Sequence, residues 1–391
     1  MANPEVLARI DRDNTVELLR RMIRIKTVNA PGDEKPLADF LAVDLAAAGV
    51  PAEVVDLGNN RANVVARIAG AGGRRALLLN GHLDTVPPGD VEWTHGPYSG
   101  DVVDGRIYGR GSADMKGGVA SMIVAAKAIK ASGLPLAGDL IFAGTAGEEI
   151  DSVGAIHFLR TGGLEDVGAI IIGEPSSCGI NIAEKGALWV EVTTRGKTAH
   201  GAFPDRGVNA IVHMNAVIAQ LLDHAFIYQE NVLLGHPTLN VATIHGGVKT
   251  NVVPDRCSVT VDLRTVPGMA HDDLVRDLDV MLATLTKKID GFQASLRVLN
   301  NRPPVETDAS HPFVVMAQAV AAEELGRQLE VKGVSFYTDA AVFLPATRLP
   351  AIFYGPGDAE MAHQPDEHVS IDSLMEATHF YAAMIERYLV A

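Results

Sequence analysis

The stretch that decides the fold is Ala76-Leu77-Leu78-Leu79-Asn80-Gly81-His82-Leu83-Asp84-Thr85. A short apolar run, strand-like in length, ends at a glycine and then presents a histidine and an aspartate. Four other patches repeat this arrangement: Gly111-Ser112-Ala113-Asp114-Met115-Lys116-Gly117-Gly118, Thr145-Ala146-Gly147-Glu148-Glu149, Gly173-Glu174-Pro175-Ser176 and Ala362-His363-Gln364-Pro365. Each places a histidine or carboxylate where an open α/β sheet presents its functional loops, beyond the strand ends. One patch alone would carry little weight. Five in this order point to a single site assembled across most of the chain.

The elements around these patches fit that reading. Asn14 is expected to cap a helix running to about Ile25, with Glu17 completing a capping box. A second helix is expected from about Pro36 to Gly49, strands at Val54–Asp56, Val64–Ile68 and Ala76–Leu79, and a helix at Ala120–Lys130. Asp104-Gly105, between Val102-Val103 and Ile107-Tyr108, is a strong hairpin signal. Leu140–Ala143 and Ile170–Ile172 read as short, fully apolar strands. Such strands alternating with helices predict an α/β fold, a mostly parallel mixed sheet covered on both faces. After Glu174 the rhythm becomes β-α-β-β-α-β: Ala187–Thr193, Asn209–Leu222, Leu239–Ile244, Cys257–Leu263, Asp272–Ile289 and Ala294–Leu299. That order predicts an inserted ferredoxin-like α+β domain. Beyond Pro303-Pro304 the α/β pattern resumes, with helices near Val314–Leu325 and Ser373–Tyr388 and a strand at Ala351–Tyr354. The expected organisation is a catalytic domain in two parts, residues 1–182 and 301–391, around an insert at 183–300.

Composition narrows the chemistry. With 391 residues, 47% hydrophobic and 21% charged, the chain has ordinary globular composition and is long enough for two domains. The formal net charge of −15 and the lack of a basic stripe argue against nucleic acid as a partner. The polar N-terminus has no secretory apolar region, and the apolar runs are too short to span a membrane, so a cytoplasmic location is expected. Cys178 and Cys257 are too few for a disulfide framework or a thiolate metal site, and read as buried free thiols.

Histidine nitrogen and carboxylate oxygen without thiolate suit zinc, or cobalt or manganese, in an open catalytic site. A close pair of metals needs one shared carboxylate and two further ligands for each ion. The inventory meets that need and leaves one carboxylate for proton transfer and one to orient a histidine. In the adjacent pair Glu148-Glu149 one side chain can bind metal while the other holds water; taken alone, the pair also reads as a solvated acidic turn. In His82-Leu83-Asp84, alternate residues share a strand face, so Asp84 can fix the ring of His82. A phosphate loop is not indicated by Gly109-Arg110-Gly111 and Gly117-Gly118, since no Gly-x-x-x-x-Gly-Lys-Ser/Thr is present.

With all five patches and the insert, the chain resembles the M20 metallopeptidase family, the group of acetylornithine deacetylase, succinyl-diaminopimelate desuccinylase, aminoacylase and carboxypeptidase G2. The resemblance implies a zinc-peptidase-like catalytic domain and an insert acting as a lid or dimerisation domain. It implies His82, Asp114 and Glu174 on one metal, and Asp114, Glu149 and His363 on the other. Asp114 would bridge and be followed by a cis peptide to Met115. Glu148 would be the general base, with Asp84 behind His82. In the insert, Gly196-Lys197-Thr198-Ala199-His200-Gly201 is similar to the family's histidine loop, which implies that His200 reaches a partner subunit's site in a homodimer. Asn251 and Arg264 match substrate-binding positions, Arg264 the one for a substrate carboxylate. The tail, Tyr354-Gly355-Pro356-Gly357-Asp358 through His363-Gln364-Pro365-Asp366-Glu367, resembles acetylornithine deacetylase more than the desuccinylase, although Tyr337 stands where a small residue is usual. The implied activity is hydrolysis of the amide of a small N-acyl amino acid by two divalent metals. The alternatives are a dipeptidase or carboxypeptidase, the desuccinylase, and a non-catalytic binding protein.

Overall fold

The computed structural model describes residues 3–390. The chain divides into two compact units. One comprises the chain up to Ile182, Glu306–Lys332 and the chain from Thr338 onward; the other comprises Ala183–Val305 and Gly333–Tyr337. The insert thus runs five residues past the expected position 300, and a second short segment returns to it.

In the first unit a mixed sheet is built in the order Ala52–Gly58, Arg61–Ile68, Leu140–Thr145, Ala76–His82, Val167–Ile172, Ala351–Phe353, Asn181–Glu184, Val305–Glu306. The four central strands, from Leu140–Thr145 to Ala351–Phe353, are mutually parallel. The first two strands, and the pairing of Ala351–Phe353 with Asn181–Glu184, are antiparallel. The physical reason is the short link at Asn59-Asn60, both at positive φ, which allows only a hairpin between the first two strands. Leu140–Thr145 and Ala76–His82 are buried at every residue, as expected of strands covered on both faces. Helices Lys116–Ser132 and Ile371–Leu389 pack on each other and on Ala76–His82.

Two helix starts differ from expectation. The first long helix is Arg12–Arg24, capped by Asp11, whose side chain accepts from the Asn14 N–H; Asn14 lies inside the helix, and Glu17 pairs with Arg20 instead of closing a capping box. A nearer acidic cap therefore wins over Asn14. The helix expected from Ala120 begins at Lys116, directly behind the Asp114 loop. Its buried Lys116 Nζ donates to the carbonyls of Met22 (3.0 Å) and Ile25 (2.8 Å), closing the C-terminus of the first helix. The Asp104-Gly105 turn forms as expected, with both residues at positive φ between Val102–Val103 and Arg106–Tyr108.

The second unit has strands Gly186–Arg195, Thr238–Gly246, Arg256–Thr265 and Gln293–Arg302 and helices Ala210–Leu222 and His271–Lys288. The sheet order is Thr238–Gly246, Arg256–Thr265, Gly186–Arg195, Gln293–Arg302, all antiparallel. This is the ferredoxin-like arrangement. Leu188, Val190, Val192, Val259, Val261 and Leu263 form a buried core with Met214, Val217, Leu278 and Leu282 of the helices.

Gly118 shows how tightly the first unit closes on its site. A Cβ there would overlap the carbonyl oxygen of Gly173, the residue before Glu174. We expect Gly118→Ala to force the helix and the Glu174 loop apart, costing about 1–3 kcal/mol. A thermal melt should show the loss, and a melting temperature equal to wild type would contradict this packing.

Candidate active site

Three parallel strands deliver their ends to one edge of the sheet. Ala76–His82 ends in His82; Thr145, its neighbour in register, leads into Gly147-Glu148-Glu149; Val167–Ile172 ends two residues before Glu174. Asp114 comes from the loop before helix Lys116–Ser132, and its peptide bond to Met115 is cis. His363 sits on the tail in a left-handed turn, at φ 63°.

These side chains converge around Asp114. His82 Nε2 lies 3.0 Å from Asp114 Oδ1, and His363 Nε2 lies 3.4 Å from Asp114 Oδ2. One carboxylate is thus faced by a different histidine at each oxygen. His363 Nε2 is also 3.2 Å from Glu149 Oε1, and His82 Nε2 is 3.8 Å from Glu174 Oε1. Donor atoms of His82, Glu148 and Glu174 lie within 4.8 Å of one another, as do those of His82, Asp114 and Glu149. Glu148 Oε1 is buried with no hydrogen-bond partner.

Charge is the dominant feature. Burial, and the charge of Glu174 beside it, push the Glu148 carboxyl well above the usual carboxylate range. Burial likewise pushes up Glu174, and burial with Asp114 nearby pushes up Glu149. Burial would raise Asp114 too, but hydrogen bonds from His363 and His82 outweigh it and hold its carboxyl far down. Burial opposes a charged His82, yet Glu174 and Asp114 hold its imidazolium well above the ordinary value. Hydrogen bonds to Asp114 and Glu149 raise His363 to about 10. So many buried carboxylates with two histidines are short of positive charge. The all-N/O donor set, split over the two oxygens of Asp114, fits divalent metals such as zinc, cobalt or manganese.

A second layer fixes the loops. Asp84, fully buried, accepts the backbone N–H groups of Gly147 (2.9 Å), Glu148 (3.2 Å) and Glu149 (3.2 Å), and the Asn29 side-chain amide (2.9 Å). Its Oδ1 is 3.5 Å from His82 Nδ1, which lies closer, at 3.0 Å, to the Asp84 backbone oxygen. Asp84 therefore bears on both His82 and the Glu148-Glu149 loop. Glu367 does the same for Asp114: its Oε1 accepts from Gly111 (3.0 Å), Ala113 (2.9 Å) and Asp114 (3.0 Å), and its Oε2 pairs with buried Arg110. Buried Asp339 accepts from the Thr145 hydroxyl. Sequence reasoning gave Glu367, Asn29, Arg110 and Asp339 no role. Glu367 and Arg110 stood in quoted stretches, so a signal existed; Asn29 had none.

The insert holds the other expected residues. Gly201 N–H donates to Asn251 O (2.8 Å) and Val253 N–H to Ala199 O (2.9 Å), so the His200 and Asn251 loops lie side by side. Arg264 is elsewhere. It pairs with Ala187 at one end of the sheet, whereas Arg256 pairs with Arg195 at the end leading to His200. At about 3.3 Å per residue, roughly 25 Å separates Arg264 from the His200–Asn251 end of the same insert. Arg264 is itself held by Asp262, with Nε 3.0 Å from Oδ1.

The family model of Peptidase family M20/M25/M40 matches residues 78–387, and the chain belongs to that family. It is a metal-dependent hydrolase acting on amides or peptides. Over 409 aligned residues it is 27% identical to a probable succinyl-diaminopimelate desuccinylase of Staphylococcus epidermidis, covering 97% of this chain and 99% of that one. An M20 family metallo-carboxypeptidase from Sulfolobus solfataricus shares the fold at a TM-score of 0.82, 20% identity and coverage of 96% and 99%. A dinuclear metal-binding M20 peptidase from Bacillus subtilis does so at 0.75, with 18% identity and coverage of 96% and 97%. Among the described residues, no helix is long and apolar enough to cross a membrane.

Metal binding must displace protons here, because His363 keeps its proton up to about pH 10 without metal, and burial holds protons on Glu148 and Glu174. Metal affinity should therefore rise with pH between about pH 6 and pH 9, about tenfold per unit for each proton released. Chelator competition at several pH values reads this directly. An affinity flat across that range would contradict it.

Proposed function

We propose that this chain is a two-metal amide hydrolase of small N-acyl amino acids, working as a cytoplasmic homodimer. The observation that carries the reading is Asp114 with a different histidine at each oxygen, which suits a carboxylate shared between two ions. His82 and Glu174 would complete one ligand set, and Glu149 and His363 the other. Two divalent ions would supply Lewis-acid activation of a water and of the amide carbonyl. Glu148 would take the proton from the attacking water and return it to the leaving amine, for which its raised basicity and buried, unpartnered oxygen are suited. Asp84 would orient His82 and hold Glu148 in place through the loop backbone.

A site that uses both Arg264 and the His200–Asn251 loops needs two copies of the insert, given their separation on one sheet. That supports His200 acting from a partner subunit, as an oxyanion donor. The insert also has a suitable surface: edge strand Thr238–Gly246 carries exposed Ile244, and exposed Ile211, Val212 and Val248 lie near its end. An unpaired edge with apolar neighbours suits pairing with another chain.

The tail resembles acetylornithine deacetylase, while the Staphylococcus epidermidis relative is named as a probable desuccinylase and the Sulfolobus structure as a carboxypeptidase. Turnover of acetylated and succinylated amino acids against dipeptides by metal-reconstituted protein tests the substrate class. Preference for dipeptides would favour the peptidase reading.

Glu148→Gln should keep both metals and lose turnover by several orders of magnitude, since it removes proton transfer but not a ligand. Metal analysis beside kinetics checks this, and loss of metal would place Glu148 among the ligands, with His82 and Glu174. His200→Ala should keep metal and fold but lose most of kcat. Mixing it with Glu148→Gln should partly restore activity, because each heterodimer would hold one site with both residues. No recovery in verified heterodimers would place His200 in its own chain's site.

A further inference from the structure

Asp84 gathers the amides of the loop that carries Glu148 and Glu149; Arg61 holds the same loop where it ends. Strand Arg61–Ile68 runs antiparallel to Leu140–Thr145, with Val64 opposite Gly144. That register, carried three residues on, sets Arg61 opposite Gly147. From there its Nη1 donates to Asp151 Oδ2 at 2.7 Å and its Nη2 to Asp151 Oδ1 at 3.0 Å, a two-point fork on one carboxylate. Asp151 closes the turn two residues after Glu149. Its backbone N–H donates to the Gly147 carbonyl (2.9 Å), and its Oδ1 also accepts from the Val153 N–H (3.2 Å), at the start of helix Val153–Arg160. The loop is thereby tied at its far end to both a strand and a helix.

The arginine is itself fixed. A Cβ on Gly32 would overlap its Nε and Cδ, and a Cβ on Gly147 would overlap its Nη2, so the side chain runs through a channel that glycine leaves open. Nη2 also lies 3.4 Å from Oε1 of fully buried Glu34. Burial, and the charge of Asp84, push the Glu34 carboxyl up to about 7, and at that distance it is the looser of the two partners. The side chain of Arg61 is 12% exposed and that of Asp151 46%. An ion pair with one member so open to water adds little to stability. Its planar fork, however, sets direction as well as distance, which a lysine cannot do.

We propose that Arg61 is a positioning residue for the proton-transfer step: through its fork on Asp151 it fixes the loop from which Glu148 meets the attacking water. This rests on the reading above, in which Glu148 is the general base. Asp84 holds the amides from Gly147 to Glu149, and Arg61 holds the chain where it leaves them, so the loop cannot rock about its first end.

The test uses full-length protein at saturating metal. Arg61→Ala should lower kcat about 10- to 100-fold, the scale of a misplacement of about 1 Å, with KM within about threefold. Arg61→Lys keeps the charge without the fork and should still lower kcat. Asp151→Asn, which leaves Arg61 beside Glu34, should lower kcat at least several-fold at an unchanged melting temperature. The double variant Arg61→Ala/Asp151→Asn should lose no more than Arg61→Ala, since both changes remove one contact. Glu34→Gln should keep kcat within about threefold. Amide hydrogen exchange at residues 147–152 should be faster in Arg61→Ala and Asp151→Asn than in wild type. If Arg61→Ala fails to fold, Arg61→Lys and Asp151→Asn carry the test. Wild-type kcat in these variants overturns the proposal and leaves the proposed activity standing, as do losses that add in the double variant. A large loss in Glu34→Gln beside a normal Asp151→Asn overturns it in favour of Glu34. If Glu148→Gln turns over substrate normally, the reading of Glu148 falls. The clamp is then judged by exchange alone, where wild-type rates at 147–152 in Arg61→Ala and Asp151→Asn overturn it.

Discussion

The site depends on the capture of backbone N–H groups by the buried carboxylate of Asp84. Three consecutive amides, from Gly147 to Glu149, point at one side chain. Without it, two adjacent glutamates in a buried loop would repel each other and seek water. With it, the loop backbone is fixed and the two side chains are left free to differ in direction. Glu367 repeats the device for the Asp114 loop. The inner carboxylates crowd around a charge deficit while the outer ones are satisfied by peptide dipoles. That division lets a strongly acidic pocket stay folded before any cation neutralises it.

The same division explains what was legible in the sequence. Residues facing the charge deficit are histidines and acids at strand ends, flanked by glycine, and such patches stand out. His82, Asp114, Glu148, Glu149, Glu174 and His363 are brought together as their patches suggested. Residues of the outer layer bond to backbone, and backbone partners leave no mark on sequence. Asn29 differs, because its buried side-chain amide donates to the Asp84 carboxylate from a loop that carries no motif of its own. The helix start at Asp11 was missed for a related reason: Asp11 and Asn14 are both good caps, and only the chain's path decides between them.

In the fold, long periodic segments were readable and connections less so. The six elements of the insert lie within a few residues of their expected places. The sheet of the first unit was expected to be mixed and mostly parallel; it is mixed, with a parallel centre and a hairpin at Asn59-Asn60 that makes its first edge antiparallel. The return of Gly333–Tyr337 to the insert had no periodic signal at all. His200, Asn251 and Arg264 were all visible as motif positions, but their spacing along one sheet is a property of register, which no single motif encodes.

His363 and Glu367 come from the tail, far in sequence from the loops they complete. During synthesis the N-terminal part of a chain leaves the ribosome first. A nascent chain that has already made His82, Asp114, Glu149 and Glu174 still lacks one histidine and the carboxylate that gathers the Asp114 loop. The clustered donors of His82, Asp114, Glu149 and Glu174 are thus made before the histidine that faces the second oxygen of Asp114. Order of synthesis thereby postpones assembly of the complete centre until the last helix is about to be made.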